Sequence, residues 1–333
     1  MKRTELLSAL DLVKPALARN DSIAGTNMFA FTGKYLVTFN DELAIKHPIP
    51  EFNIVGAIEA NAFYKLISKI KKDEFEISAT ENQLLLSSGK LKSGLTFTNE
   101  ILMPLDQISK HSKWKEAPIN FCEALSFAIP CCVRDMTRPV LSCVYVKDDG
   151  AVIASDTLRI TRYTISNLPV KSFLLPMSSA KIISKQNIKF IAESQNWIFF
   201  KSDVGTIYSC RTFEDTFPNV DGFLSQSGIK ITFPDRMPNL IDRASILCGK
   251  DADEQKIVIK IEEKKLQIRS ESEIGWLEES AKIAYSGNPI SFAINPNLMK
   301  LILAQTKECE ITNCALKFTG ENWEHVVALY SEK

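Results

Sequence analysis

Three short stretches decide how the chain is organised: Ala62-Phe63-Tyr64-Lys65-Leu66-Ile67, Ser178-Ser179-Ala180-Lys181-Ile182-Ile183 and Asn297-Leu298-Met299-Lys300-Leu301-Ile302. In each, a lysine is followed by two large apolar residues, and the lysines are separated by 116 and 119 positions. This spacing is close to one third of the 333-residue chain. Because self-similarity at a fixed period indicates a repeat architecture, the sequence predicts three repeats.

Each stretch has the apolar spacing of a short helix. The first places a buried stripe at i, i+3, i+4 and i+7, formed by Phe63, Leu66, Ile67 and Ile70. The second keeps Ile182 and Ile183 in this register, and the third repeats the frame with Leu298, Leu301, Ile302 and Gln305. Asn295 is a plausible cap of the third helix, and Pro296 suits its first turn.

An alternating stretch, a turn and a second stretch follow each helix, as in a β-hairpin. The paired stretches are Glu74–Ala79 with Leu84–Ser87, Lys189–Ala192 with Trp197–Lys201, and Cys309–Thr312 with Ala315–Phe318. Asparagine, which favours turns, lies in all three links, at Asn82, Asn196 and Asn313.

Each repeat also contains another helix, which lies upstream of the one described above. Its apolar faces are Leu6, Leu10 and Val13, then Phe121, Ala124, Leu125 and Ala128, then Met237, Leu240, Ile241 and Ala244. The pattern therefore predicts an α+β fold of three repeated domains, each with two helices packed on antiparallel β-sheets. Polar or Pro/Gly-containing segments place the domains at residues 1–115, 116–228 and 229–333.

Composition is that of an ordinary globular protein, with 45% hydrophobic and 24% charged residues. The start of the chain lacks the uninterrupted apolar stretch of a secretory signal, and no apolar run is long enough to span a bilayer. None of the eight cysteines forms a C-x-x-C pair, and the three histidines lie far from them. We therefore expect a cytoplasmic protein with reduced core cysteines, no metal and no cofactor.

Basic residues recur on the helices, although the net charge of the whole chain is zero. The candidates for contact with a phosphate backbone are Lys14, Arg19, Lys65, Lys69, Lys72, Arg134, Lys181, Lys185, Lys300 and Lys307. Lysines on one exposed helix face usually only solvate it. Recurrence in three repeats favours instead a basic surface that binds nucleic acid without reading its sequence.

The sequence resembles the β subunit of bacterial DNA polymerase III, the replicative sliding clamp. Residues 152–160 are similar to the family's "ATDGHRLA" stretch, and residues 213–220 to its "VDGRFPDY" element. Residues 243–247 match "RAAIL", and Tyr285-Ser286-Gly287 followed by residues 290–295 matches "YSG…IGFN". The resemblance covers essentially the whole chain and is strongest in the second and third domains, where these motifs keep the family's order and spacing.

The resemblance implies the DNA clamp fold and a homodimeric ring that encircles duplex DNA as a processivity factor in DNA replication. It also implies a hydrophobic pocket for short linear peptides of the polymerase and the clamp loader. The matching positions are Arg138, Leu141, Ser155, Thr157, Leu158, Arg159, Ile160, Pro218, Phe223, Val326, Val327, Ala328, Leu329 and Tyr330. The apolar members also suit an ordinary core, whereas an arginine at position 159 should have a specific partner.

Several positions depart from the family pattern. Thr157 and Leu158 replace a Gly-His pair, and the tail reads Ala328-Leu329-Tyr330 where the family has Met-Pro-Met. The implied dimer interface consists of Ser93, Leu95, Ile246 and Leu247, with Ser93 in place of an aromatic residue. An alternative is therefore a clamp-fold scaffold that binds replication peptides without encircling DNA. An enzyme is disfavoured, since the chain has no P-loop, H-E-x-x-H, G-x-S-x-G or dinucleotide motif.

Overall fold

The computed structural model describes residues 2–18, 23–134, 137–249 and 255–330. The α-helices in this part of the chain are α1 (Arg3–Val13), α2 (Ala60–Lys69), α3 (Phe121–Ala128), α4 (Met177–Ile183), α5 (Asp221–Leu224), α6 (Met237–Ser245) and α7 (Pro296–Leu303). Single 3-10 turns follow at Lys14–Ala16, Ile129–Cys131 and Pro139–Ser142.

The first fifteen strands are β1 (Met28–Gly33), β2 (Tyr35–Phe39), β3 (Leu43–Pro48), β4 (Ile54–Glu59), β5 (Glu76–Ala79), β6 (Gln83–Ser88), β7 (Leu91–Thr98), β8 (Lys115–Glu116), β9 (Cys143–Val146), β10 (Ala151–Ser155), β11 (Arg159–Thr164), β12 (Phe173–Pro176), β13 (Ile188–Ser194), β14 (Trp197–Ser202) and β15 (Ile207–Arg211). The remaining strands are β16 (Ile229–Thr232), β17 (Ile257–Glu262), β18 (Lys265–Ser272), β19 (Gly275–Lys282), β20 (Ile290–Ile294), β21 (Glu308–Ile311), β22 (Ala315–Thr319) and β23 (Trp323–Ala328). The hairpins predicted from the alternating stretches are confirmed as β5-β6, β13-β14 and β21-β22.

The chain forms two compact units. The first comprises Met1–Ser126, Val146–Gly150 and Ser166–Asp215, and the second Phe127–Tyr145, Ala151–Ile165 and Thr216–Lys333. The three domain boundaries drawn from the sequence repeat stay a prediction.

The first unit contains one sheet with strand order β5-β6-β7-β4-β1-β2-β3-β15-β14-β13-β8. Helix α1 closes one part of its core because Leu6, Leu10 and Val13 are fully buried, as their spacing predicts. Helix α2 contributes Phe63 and Ile67. The Glu59 carboxylate caps α2 by accepting hydrogen bonds from the backbone of Asn61 and Ala62.

The second unit contains two sheets. One runs in the order β9-β10-β11-β23-β22-β21-β16, and the other in the order β19-β18-β17-β20. Helix α6 packs on the latter through a predicted and fully buried face, formed by Met237, Leu240, Ile241 and Ala244. The predicted face of α3 is buried as well.

The buried face of α7 differs from the predicted one. Leu301 is 53% exposed and Gln305 is exposed, whereas Met299, Ile302 and Leu303 are buried. The predicted frame is therefore wrong by one residue. Apolar residues at 298, 299, 301, 302 and 303 satisfy helical spacing in two frames, and packing selects the second. The start of α7 is confirmed, since the Asn295 side chain accepts a 2.9 Å hydrogen bond from Asn297 N and Pro296 lies in the first turn.

The cysteines have free thiols, and most of them lie in the core. Cys131, Cys132, Cys143, Cys210 and Cys309 are buried, whereas Cys314 is exposed. Burial raises the pKa of Cys131 to about 12, so its thiol stays protonated at neutral pH. These side chains act as small apolar core residues.

Candidate functional site

The basic residues of the first unit lie on exposed helix surface. Lys65 and Lys69 project from α2, Lys72 follows that helix, and Lys181 and Lys185 lie on and after α4. None of these five has an ion pair among the described residues. Their full charge is therefore available to a ligand.

Lys14 of the first unit is held in place by an aromatic ring. Its Nζ atom lies 3.8 Å from the centroid of the Tyr64 ring, a cation–π contact. Tyr64 donates a 2.6 Å hydrogen bond to Asp11, which raises the pKa of the phenol. These contacts join the end of α1 to α2. Arg19, which was also predicted to face DNA, lies outside the described residues.

The basic residues of the second unit are less available. Lys300 on α7 forms an ion pair with Asp242 on α6, and Lys307 forms one with Asp235. Arg134 is exposed. The positive charge of the predicted surface is therefore uneven, because carboxylates neutralise the two lysines of the third repeat.

Two adjacent strands bring five of the predicted pocket residues together. In the antiparallel pair of β11 and β23, Arg159 lies opposite Val327, and Ile160 opposite Val326. Ala328 N donates a 2.8 Å hydrogen bond to Leu158 O, which extends the ladder into the loop. Val327 is fully buried, so it supports the strand from the core side.

The loop before β11 presents an apolar side chain to solvent. Leu158 is 48% exposed, while Ser155 is buried and donates a 3.0 Å hydrogen bond from its hydroxyl to Arg159 O. Thr157 has φ 76°, in the left-handed region that favours glycine. The loop thus exposes a large apolar side chain and has a strained backbone at Thr157.

Arg159 anchors this loop. Its Nε donates a 2.8 Å hydrogen bond to the Asp156 carboxylate, and its Nη2 donates to the Pro130 carbonyl oxygen. Asp156 also accepts hydrogen bonds of 3.2 and 3.0 Å from the backbone of Leu158 and Arg159. The expectation that this arginine has a specific partner is confirmed, and that partner is Asp156.

The other predicted pocket residues are spread around these strands. Phe223 on α5 is 53% exposed, and Pro218 before that helix is exposed. Arg138 is exposed, whereas Leu141 is buried. The tail residues Leu329 and Tyr330 instead line an open cavity of about 1110 Å³ together with Cys314 and Phe292.

An ion cluster that the sequence did not reveal links β11 and β23. Arg162 on β11 contacts Glu324 on β23, with a 3.0 Å hydrogen bond from Nε, and Asp221 on α5. Lys317 lies 3.2 Å from the same glutamate. Burial raises the pKa of Glu324, but hydrogen bonds from Arg162 and Lys317 outweigh it and leave the pKa lowered. Strand alternation places these residues on one face, but only the structure pairs them.

His325 lies on β23, directly before Val326. It is buried, its Nδ1 atom lies 3.9 Å from Cys131 Sγ, and it was not among the predicted residues. Burial lowers its pKa to about 3, so the imidazole is neutral at pH 7. With a protonated thiol beside it, this pair is a core contact rather than a catalytic dyad.

The residues of the predicted dimer interface lie on β7 and just after α6. Ser93 and Leu95 are partly buried on β7, and Ile246 and Leu247 follow α6. Ile246 is 70% exposed. No helix among the described residues is long and apolar enough to cross a membrane.

Solved structures of bacterial sliding clamps match this architecture over its whole length. The sliding clamp (DNA polymerase III subunit beta) of Pseudomonas aeruginosa, bound to griselimycin, has a TM-score of 0.88 at 15% identity, covering 100% of this chain and 98% of that chain. The DNA polymerase sliding clamp of Bacillus subtilis has a TM-score of 0.87 at 17% identity, covering 100% of this chain and 98% of that chain. The chain has the DNA clamp fold.

A third clamp agrees with this assignment. The β subunit of the Streptococcus pyogenes DNA polymerase has a TM-score of 0.85 at 18% identity, covering 100% of this chain and 99% of that chain. No protein-family model and no curated protein matches the sequence. The resemblance to sliding clamps that the sequence motifs indicate is thus confirmed, as is the clamp fold that it implies.

Proposed function

We propose that this protein is a DNA sliding clamp: a homodimeric ring that encircles duplex DNA and tethers a DNA polymerase as its processivity factor. The observation that carries the proposal is that the entire chain matches three bacterial clamps. The match covers 98% or 99% of each of those chains. The clamp is an accessory subunit without chemistry of its own. Its cytoplasmic location stays a prediction.

The DNA contacts are made by the exposed lysines of α2 and α4. Lys65, Lys69, Lys181 and Lys185 are unpaired among the described residues, and phosphates attract such cations without regard to base sequence. A closed ring holds DNA topologically, so these contacts stay weak enough for sliding.

The polymerase and the clamp loader bind through short peptides at the apolar rim formed by Leu158, Ile160, Pro218, Phe223 and Ala328. Leu158 and Phe223 are about half-exposed, and large side chains left open on a rigid strand and helix suit an apolar peptide anchor. Arg159 and Asp156 hold the rim in place.

A clamp-fold scaffold that binds peptides without encircling DNA is the alternative. Two observations favour it: Ser93 replaces the interface aromatic, and Lys300 and Lys307 are paired with Asp242 and Asp235. Under this alternative the protein is monomeric, and its binding of peptides does not depend on DNA.

Sedimentation velocity separates the two proposals. The ring predicts a dimer at micromolar concentration, whereas a strict monomer over the whole accessible concentration range would contradict it. The measurement is made on the full chain at moderate salt, so that DNA is not needed for assembly.

A further inference from the structure

Helices α1 and α2 pack on one face of the sheet in the first unit. Thr38 on β2 donates a 2.6 Å hydrogen bond from its hydroxyl to Val13 O at the end of α1. The Phe63 ring of α2 packs edge to face on Phe31 of β1, and Phe31 lies opposite Leu36, which shares the face of Thr38. Residues that alternate with these along the strands belong to the other face, which we call the outer face.

The segment between β7 and β8 covers part of the outer face. Met103 and Ile108 of this segment are buried in one apolar cluster with Val37 and Phe199. The Ser209 hydroxyl on β15 donates a 2.7 Å hydrogen bond to Ile108 O, which ties the segment to the sheet. The middle of the outer face is therefore part of the core.

One row of the outer face stays partly open beside this segment. Across four neighbouring strands the row consists of Phe190 on β13, Lys201 on β14, Ile207 on β15 and Lys46 on β3. Phe190 is 36% exposed, and the other three residues are partly buried. Because neighbouring strands lie about 4.8 Å apart, the backbones of Lys201 and Lys46 are separated by roughly 10 Å.

Aromatic rings flank both lysines of this row. Lys46 Nζ lies 4.3 Å from the centroid of the Tyr35 ring, and Lys201 Nζ lies 6.0 Å from that of Trp114. Burial lowers the pKa of Lys46, and no ion pair among the described residues opposes this effect. We call Tyr35, Lys46, Trp114, Phe190 and Lys201 the aromatic–lysine surface.

The second unit neutralises a basic residue at the equivalent ladder position. Lys46 is the fourth residue of β3, and Arg162 is the fourth residue of β11. Arg162 lies opposite Glu324 and forms an ion pair with it, whereas Lys46 lies opposite Ile207. Neither Lys46 nor Lys201 has an ion pair among the described residues. The first unit therefore leaves two amines for an anion from outside the chain.

The covering segment adds further positive charge beside the row. Residues 109–115 contain three lysines and no carboxylate, and Lys110 and Lys113 among them are exposed. Glu116 on β8, opposite Phe190, places one carboxylate at the end of the row. The balance of charge around the aromatic–lysine surface is thus positive, although the whole chain is neutral.

We propose that the aromatic–lysine surface binds single-stranded nucleic acid. Phe190 stacks on a base, and Lys46 and Lys201 contact phosphates. Tyr35 and Trp114 hold the two amines in position. Rings interleaved with amines suit a single strand, because every unpaired base has a π-face to stack and every nucleotide a charged phosphate. A duplex keeps its bases stacked inside and would not use the exposed ring.

The neighbourhood of ring and amine favours nucleic acid over an acidic peptide. Phe190 and Lys201 are direct neighbours in the ladder, so one nucleotide can place its base on the ring and its phosphate on the amine. An acidic peptide would use the amines alone. The lysines proposed to contact duplex DNA on α2 belong to the opposite side of this sheet, because α2 packs there through Phe63. The two kinds of binding can therefore be tested separately, and this one does not depend on a closed ring.

Fluorescence anisotropy with a labelled oligothymidine of about 16 nucleotides tests the role of the ring. Phe190→Ala should lower the affinity of the full chain for this strand at least about fivefold, and leave that for a duplex of equal length unchanged. Ile229→Ala, at an exposed apolar residue on a strand of the second unit, is the control and should bind both normally. Oligouridine of the same length is compared, and tight binding of either strand that is lost in Phe190→Ala supports the proposal. Wild-type affinity of Phe190→Ala for both single strands would overturn it.

The salt dependence of binding tests the role of the amines. Lys46→Ala/Lys201→Ala should reduce the slope of log affinity against log salt concentration by about 0.7 for each phosphate no longer contacted. Lys260→Ala/Lys265→Ala removes the same charge from exposed lysines of the second unit and should leave the slope unchanged. An equal change in both double variants would contradict a defined site. Poly-glutamate that binds as tightly as the oligonucleotide, without dependence on Phe190, would replace nucleic acid by an acidic peptide.

Photo-cross-linking of the wild type locates the strand without any substitution. An oligonucleotide that carries 5-bromodeoxyuridine is irradiated with the protein, and the attached peptides are mapped by mass spectrometry. We expect attachment within residues 109–116 and 188–201. Attachment confined to α2 and α4 would overturn the proposal, while leaving the contacts proposed for duplex DNA intact.

Discussion

At the scale of single residues, the loop before β11 combines a strained backbone with strong support. Thr157 has φ 76°, a conformation that costs a residue with a Cβ roughly 1–2 kcal/mol and glycine almost nothing. Asp156 offsets this cost by accepting hydrogen bonds from Leu158 N, Arg159 N and Arg159 Nε. The loop therefore keeps its shape without the family's glycine, and Leu158 stays directed at solvent.

A substitution at Leu158 tests the proposed peptide site most directly. Leu158→Glu places a charge on the apolar rim, so we expect fluorescence anisotropy to show at least about a tenfold loss in affinity for a clamp-binding peptide of a polymerase. Val204→Glu, at a similarly exposed apolar residue of the first unit, is the control and should bind normally. Equal affinity of both variants would remove Leu158 from the peptide site.

The buried imidazole of His325 makes stability depend on pH. Its pKa is about 3 in the folded chain against 6.5 ordinarily, so between these values only the unfolded chain binds the proton. Stability is therefore full above pH 6.5 and falls as the pH drops, by about 1.4 kcal/mol per unit. Urea unfolding of wild type and His325→Gln between pH 7 and about pH 5 measures this, and parallel curves would contradict it.

At the scale of elements, the repeat lysine on α7 is less free than those on α2 and α4. Lys300 of α7 is paired with Asp242, whereas Lys65 of α2 and Lys181 of α4 have no ion pair among the described residues. The three lysines come from equivalent positions of the repeat but meet different neighbours. DNA attraction should accordingly be concentrated on α2 and α4.

This division predicts unequal effects of equivalent substitutions. Lys65→Ala/Lys181→Ala should weaken DNA binding and reduce the slope of log affinity against log salt concentration by about 0.9 for each phosphate that is no longer neutralised. Lys300→Ala is the matched control and should change DNA binding less, because its charge is already neutralised. Binding measured from low to moderate salt checks both, and an equal weakening in the two variants would contradict the assignment.

The sequence predicted the elements well where apolar residues stand alone among polar ones. The face of α6 followed from i, i+3, i+4 spacing because only one frame fits Met237, Leu240, Ile241 and Ala244. The α7 segment has five apolar residues in six positions, so its frame depended on tertiary packing.

The candidate site was harder to predict for a related reason. The contacts of Lys300 with Asp242 and of Arg162 with Glu324 join elements far apart in sequence, and no local pattern reports them. The dimer interface stays a prediction, with Ser93 where the family has an aromatic residue.

At the scale of the whole molecule, the proposed function requires two copies to form a closed ring around DNA, which links the ring to the DNA topologically. A linked ring can leave only past a DNA end, whereas an electrostatically bound protein leaves whenever salt competes for the phosphates. The two kinds of binding therefore differ in their response to a single break in the DNA.

The decisive measurement is retention on circular DNA before and after one double-strand cut. The protein is loaded with a clamp loader and ATP onto a nicked circle, washed at high salt, and the circle is then cut once with a restriction enzyme. We expect retention through the wash and release on cutting. Retention that is unchanged by the cut, or loss during the wash from the intact circle, would contradict the ring.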